Sequence, residues 1–383
     1  MLAKDLLVTA RASPRAIAAA FDPASNAWAI SNAYEATPGN FSVELRKATA
    51  SGSTLTFSEA VSPLDPAVTI VPNAFDPSIA TAGSMSLVLL VWADARLGDG
   101  NGLLEVFGQF FDLSGASPVK VGANFSISEK PGSDEHAPRV VFDSVNEEFW
   151  VAWADDRDFA TVPGGRFAYA RSVGMDGTLG AEVRLGDATT WQDGLHAAAG
   201  SAGTLFVWSA FSEQDGIGRY RARLSTADMR DEIELYASPS LVPAPPAVAW
   251  DRARCRFLVV WQETNGGSAA DKQLYGALLA PDATVIRPRF QITSQAAGAG
   301  SPRLDWASGS SSFVATFGSW DDAQAYTLEL DGEGNPVGAP ESVHESVPDK
   351  GTYFHEVAAG DGEVLVISND DYLRVDATLL GVR

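Results

Sequence analysis

Three of the four histidines (His136, His196 and His355) and two arginines (Arg139 and Arg303) fall at matching places in segments that otherwise differ. Taking the residue three before the Phe-Asp of Pro138 to Asp143, with its aligned equivalents, gives Ala18, Ile79, Arg139, His196, Ala247, Arg303 and His355. Four of these seven can be cationic. Asp134, Glu135, Trp191, Asp193, Tyr353 and Glu356 stand close by in sequence. Guanidinium groups pair with carboxylate or sulfate and an aromatic face stacks on a sugar ring, so this set could hold an anionic or sugar-like ligand. The expected ligand-binding residues are Arg139, Trp191, Asp193, His196, Arg303, Tyr353 and His355. A plainer reading has Arg and His pairing with these acids and filling a wet channel, because a one-residue slip turns a side chain to the other face.

Catalysis would draw on the same cluster. Proton abstraction beside a carboxylate needs a base titrating near neutrality and a compensating cation, and His196, Tyr353, His355 and Arg303 are of those types. The chain has no Ser-x-Asp-x-Gly-x-Thr-Trp box, Gly-x-Ser-x-Gly elbow, Walker loop or His-Glu-x-x-His. His136, His196 and His355 show no local ligand spacing, so neither a metal nor another cofactor is expected. His344 is expected on the surface. Trp191 and Trp320 lie in polar loops and are candidates for exposed contact surface or for capping a core.

These residues are positioned by a degenerate repeat. Pro138 to Trp153 and Pro246 to Trp261 match residue for residue in type, each an apolar strand, a turn and a strand ending in Trp. Other copies end at Trp28, Trp92, Trp208, Phe317 and Ile367. The spacing of 50 to 64 residues between these seven positions fits one four-stranded blade each. Turn-rich hairpins such as Met175-Asp-Gly-Thr178 and Asp331-Gly-Glu-Gly-Asn335 follow; they lack the ligand spacing of a calcium loop. The last copy runs out after Tyr372 to Leu380, whereas Asp5 to Ala10 reads as an outer strand with no blade before it. Pairing the two would close a ring.

Composition narrows the partners. The 27 basic and 49 acidic residues give a formal charge of −22, which repels nucleic acid and anionic lipid and keeps a β-rich surface soluble. Cys255 is the only cysteine, so there is no internal disulfide; it reads as a hairpin or core thiol. No run approaches the roughly 18 apolar residues of a membrane span, and Met1 to Ala10 lacks a signal-like apolar stretch.

Val91-Trp-Ala-Asp-Ala-Arg96 with Phe107-Gly-Gln-Phe-Phe-Asp112, and Ala152-Trp-Ala-Asp-Asp-Arg157, resemble a group of bacterial, exported β-propeller repeat proteins. Blades of that group read Val-Val-Trp-x-Asp-x-Arg, then Gly-Gln-Arg-Phe-Asp and Gly. The resemblance implies a propeller and an envelope or extracellular setting, with no shared reaction. It is weakest in blades 4, 6 and 7.

The expected fold is an all-β seven-bladed β-propeller of four-stranded antiparallel blades, the N-terminal strand completing the last. One domain over residues 1–383 is expected, with blades near 13–62, 74–128, 135–187, 193–238, 243–294, 299–346, and 352–382 plus 3–10. The first functional expectation is a non-catalytic binding or adhesion scaffold for a glycan, peptide or protein, secreted, periplasmic or on the cell surface. The alternative is a carbohydrate-active enzyme, above all a polysaccharide lyase on an acidic glycan at the channel mouth. No nucleic acid and no membrane insertion are expected, and the oligomeric state is left open.

Overall fold

Apolar runs broken every few residues by turn chemistry can bury themselves only as strands covered on both faces, and stacked blades provide that cover. The computed structural model describes residues 3–9, 16–37, 39–65, 74–96, 103–128, 132–158, 165–187, 190–226, 229, 231–239, 244–264, 271–294, 298–319, 324–343, 352–370 and 374–381. They form seven four-stranded antiparallel sheets. The innermost strands are Ala16–Asp22, Phe75–Thr81, Glu135–Asp143, Trp191–Gly200, Ala247–Asp251, Gly300–Ala307 and Thr352–Ala359, which give blades 1 to 7 in chain order. Each of these strands lies against the next around the ring, and blade 7 meets blade 1. No helix among the described residues is long and apolar enough to cross a membrane.

The core has no single centre. Seven apolar clusters fill the seven spaces between neighbouring blades. Hence the second strand of blade 2, Leu87–Asp94, is buried on both faces, while the outer strand Val119–Ser126 is largely exposed.

The Trp-x-Asp-x-Arg motif is a clasp inside a blade. Trp92 Nε1 donates to Asp94 Oδ2 at 2.7 Å, the Asp94 carboxylate takes the Arg96 guanidinium, and that guanidinium lies 4.0 Å from the centre of the Phe107 ring. Trp153, Asp155, Arg157 and Tyr169 repeat it. Blade 5 keeps it with Glu263 as the acid and Arg289, from the outer strand, as the cation over Tyr275. In blade 4 the acid's place is taken by Ala210, and among the described residues Trp208 Nε1 has no hydrogen-bond partner. A desolvated acid satisfied by an indole, a guanidinium and backbone N–H groups fixes the end of the second strand.

The strand register corrects two anchors. Partners of the aligned inner-strand positions place Trp92, Trp153, Trp208, Trp261 and Phe317 in equivalent places, but Asn32 and Asn369 in blades 1 and 7. Trp28 pairs with Phe21, four residues from the expected register, and Ile367 lies two residues from it. Both are still buried, because every position on a second strand faces a neighbouring blade.

Closure follows the expected route. Ala3–Thr9 pairs antiparallel with Arg374–Gly381, and Val8 packs among Val375, Ala377 and Leu379. Deleting residues 1–9 exposes that edge, so we expect a lower Tm and concentration-dependent association in light scattering. An unchanged, monodisperse protein would contradict this closure.

Candidate functional site

Five inner strands carry the same irregularity just before the ring position. The register slips between Phe75 and Ser78, His136 and Arg139, Asp193 and His196, Gly300 and Arg303, and Thr352 and His355. In four of them the bulged residue is left-handed: Asp76 (φ 50), Ala137 (φ 48), Gly194 (φ 62) and Ser301 (φ 53). Proline follows in three, at Pro77, Pro138 and Pro302. Gly194 stands where a Cβ would come within 2.7 Å of Pro245 in the next blade. A left-handed non-glycine residue costs free energy, so a bulge kept in five blades points to what it aims.

The side chain after each bulge takes the ring position; Ser78, Arg139 and His196 line the channel, and Arg303 and His355 are outside its lining. The equivalent in blade 2 is Ser78, not the expected Ile79, because the Asp76-Pro77 bulge matches Ala137-Pro138; Ile79 is buried between blades 1 and 2. The ring is therefore Ala18, Ser78, Arg139, His196, Ala247, Arg303 and His355. Three small residues leave room beside four large cationic types.

Arg139 and Arg303 are held alike, Nη1 of each donating to the carbonyl of the preceding proline at 3.0 Å. Arg303 Nε lies 3.5 Å from Glu356 Oε2. Burial, then the charge of Arg303, holds the Arg139 guanidinium below its usual value, though an arginine so placed stays protonated. His196 is pushed down to about 3 by burial, Arg139 and Arg303. His355, 6% exposed, is pushed down to about 3 by burial and Arg303. Its Nε2 donates to the Ser301 carbonyl at 2.9 Å, and the Thr316 carbonyl also acts on the ring; among the described residues neither its Nδ1 nor His196 Nδ1 has a hydrogen-bond partner. Both histidines are neutral at physiological pH. They can accept a hydroxyl hydrogen, but a base of pKa about 3 is poorly matched to abstracting a carbon-bound proton.

Two carboxyl groups have the opposite character. Glu356 is raised by burial, which outweighs Arg303 and Arg139. Asp305, two residues beyond Arg303, is raised to about 6 by burial, with Glu356 adding to the rise, although it accepts N–H groups from Ala359 and Trp306 at 2.8 Å. Both line a channel of about 590 Å³ together with Arg139 and His196. Its other walls mix small apolar residues, among them Ala18, Ala20, Ala197 and Ala199, with Trp250, Arg252 and Asp361. Asp305 was not foreseen. Its signal was present, because equivalent positions in the aligned copies hold Val141, Ala198 and Ala249.

Of the other expected residues, Asp193 is electrostatically coupled to Arg139, and among the described residues its side chain accepts only the Gly194 N–H. Trp191 is 39% exposed and outside the channel lining. The Tyr353 side chain, Trp320 and His344 lie outside the described residues. His136 pairs with Asp134 at 2.6 Å. Cys255 is an exposed turn residue. Among the described residues no group of His, Cys, Asp and Glu is arranged to hold a metal ion.

No protein-family model and no curated protein matches the chain. Solved structures do. An α-L-arabinofuranosidase from Fusarium graminearum is similar with a TM-score of 0.58 and 13% identity, over 99% of this chain and 97% of that one. An α-L-arabinanase from Penicillium chrysogenum, solved with arabinobiose, gives 0.54 and 11% over 99% and 98%. A sialidase from Trypanosoma rangeli gives 0.53 and 11%, over 96% of this chain and 55% of that one. At such identity the likeness is one of fold. These neighbours are carbohydrate-active enzymes, which overturns the expectation of a non-catalytic scaffold and favours the enzyme alternative.

Proposed function

We propose that this protein is a carbohydrate-active enzyme that cleaves a glycosidic bond at the mouth of its channel. The observation that carries the proposal is the pair Glu356 and Asp305, carboxyl groups raised by burial on neighbouring blades beside Arg303. Glycosidic cleavage uses two carboxyl groups, one protonating the departing oxygen and one acting as base or nucleophile. Glu356 is assigned the proton donor. Asp305, ionised above about pH 6, is assigned the second role. Neutral His196 and His355 accept sugar hydroxyls, and Arg139 and Arg303 orient the ring. Elimination with a histidine base, as in a lyase, is disfavoured by the low pKa values of both histidines. A bacterial, exported setting, as the repeat motifs imply, is part of this proposal.

The test is a panel of neutral and acidic polysaccharides assayed both for new reducing ends and for the ultraviolet absorbance of unsaturated products. Reducing ends without that absorbance are expected. Unsaturated products would overturn the hydrolytic assignment, and no product from any glycan would overturn the enzyme reading.

A further inference from the structure

We infer that the channel mouth selects an anionic sugar, gripping its carboxylate or sulfate between Arg139 and Arg303. This deepens the proposed function, on which its catalytic meaning rests. Ten other arginines among the described residues pair with a carboxylate within 4 Å, from Arg46 to Arg303. Arg139 does not: among the described residues its side chain donates only to Pro138. Glu356, Asp76 and Asp193 act on it electrostatically, yet none is in ion-pair contact with it among the described residues.

Blades 3 and 6 bring Arg139 and Arg303 toward one axis from separate parts of the ring, and each weighs on His196 from blade 4. Like charges gathered in a low-dielectric site repel, and a protein with 49 acidic residues had ample means to neutralise them. Identical bulges and identical proline-carbonyl contacts hold the two guanidinium groups, so their placement is built into both blades. Ala18, Ser78 and Ala247 leave the rest of the ring open. An anion between the two arginines would relieve their repulsion and meet N–H donors already in place.

Monosaccharides test this without any glycosidic bond to cleave, so failure of the cleavage reading would not disturb the result. Uronic acids, hexose sulfates and the matching neutral sugars are titrated into the full chain by ligand-observed NMR. At low salt, one charged class is expected to bind about 10-fold or more tighter than its neutral counterpart, with the advantage shrinking as salt is added. Which class gains separates carboxylate from sulfate. Arg139→Gln and Arg303→Gln should each abolish the preference, and Arg139→Lys should keep part of it. Relief of repulsion should leave the Tm of Arg139→Gln unchanged or higher. Equal binding of neutral and charged sugars, a preference surviving Arg139→Gln, or a Tm lower by several degrees would each overturn the inference, the last by marking Arg139 as a structural strut.

Discussion

Glu356→Gln is expected to lower turnover of the cleaved glycan by roughly 10²- to 10⁴-fold while substrate binding changes little, because the amide keeps the shape and cannot give up a proton. The argument starts from burial. A carboxyl desolvated on the channel wall holds its proton to higher pH than an exposed glutamate, even with Arg303 Nε 3.5 Å away. Activity that needs this proton is lost as pH rises through the raised pKa. Activity that needs Asp305 ionised is lost as pH falls through about 6. The wild type should therefore show a bell-shaped kcat/KM profile whose two limbs belong to the coupled pair. In Glu356→Gln the alkaline limb should vanish from the residual activity, and Asp305→Asn should remove the acid limb. A Glu356→Gln variant as active as the wild type, with both limbs in place, would refute the assignment.

The second large effect is on stability. Glu135, at the start of the inner strand of blade 3, is fully buried and raised to about 8, mainly by desolvation and further by Asp155. Its Oε2 accepts the Val106 N–H of blade 2 at 3.0 Å. In the next blade Gln192 occupies the equivalent place, its Oε1 accepting the Ala168 N–H at 2.9 Å. The backbone agrees, with Glu135 and Gln192 N–H groups donating to the Leu104 and Arg166 carbonyls. One blade thus uses a neutral amide where its neighbour uses an acid.

Between pH 4.5, the unfolded reference, and about 8, folded Glu135 holds a proton that the unfolded chain has released. Stability conferred by the protonated form is complete below the lower value and falls as pH rises toward the upper. At about 1.4 kcal/mol per pH unit, Glu135→Gln should stabilise the fold by roughly 2 to 3 kcal/mol near neutrality and above, after allowance for relaxation. It should also flatten the fall of Tm with rising pH. Denaturant unfolding at several pH values measures both. A destabilised variant would show instead that ionised Glu135 supports Arg157, whose Nη2 lies 3.9 Å away.

How far the site could be read depended on whether each residue carried a local signal. Arg139, His196, Arg303 and His355 were found because a strand's ring position lies a fixed distance from its hairpin turn. The sequence points to Ile79 in place of Ser78 because a bulge shifts the register by one residue without any change in composition. Trp28 reads as an anchor in the sequence because a tryptophan at the wrong register is as apolar as one at the right register. Asp305 looked like an ordinary polar position until burial gave it a raised pKa.

The chain by itself determined the number of blades, their four strands and the circular closure. Apolar runs, turns and a lone outer strand at the N-terminus are local features, and their period survives divergence. Only the tertiary structure decided that Arg139 and Arg303 weigh on each other, that His196 and His355 are neutral, and that burial raises Glu356 and Asp305 on one wall. Those properties come from desolvation and from charges roughly fifty to two hundred residues apart in the chain, which meet only when seven blades are arranged about one axis.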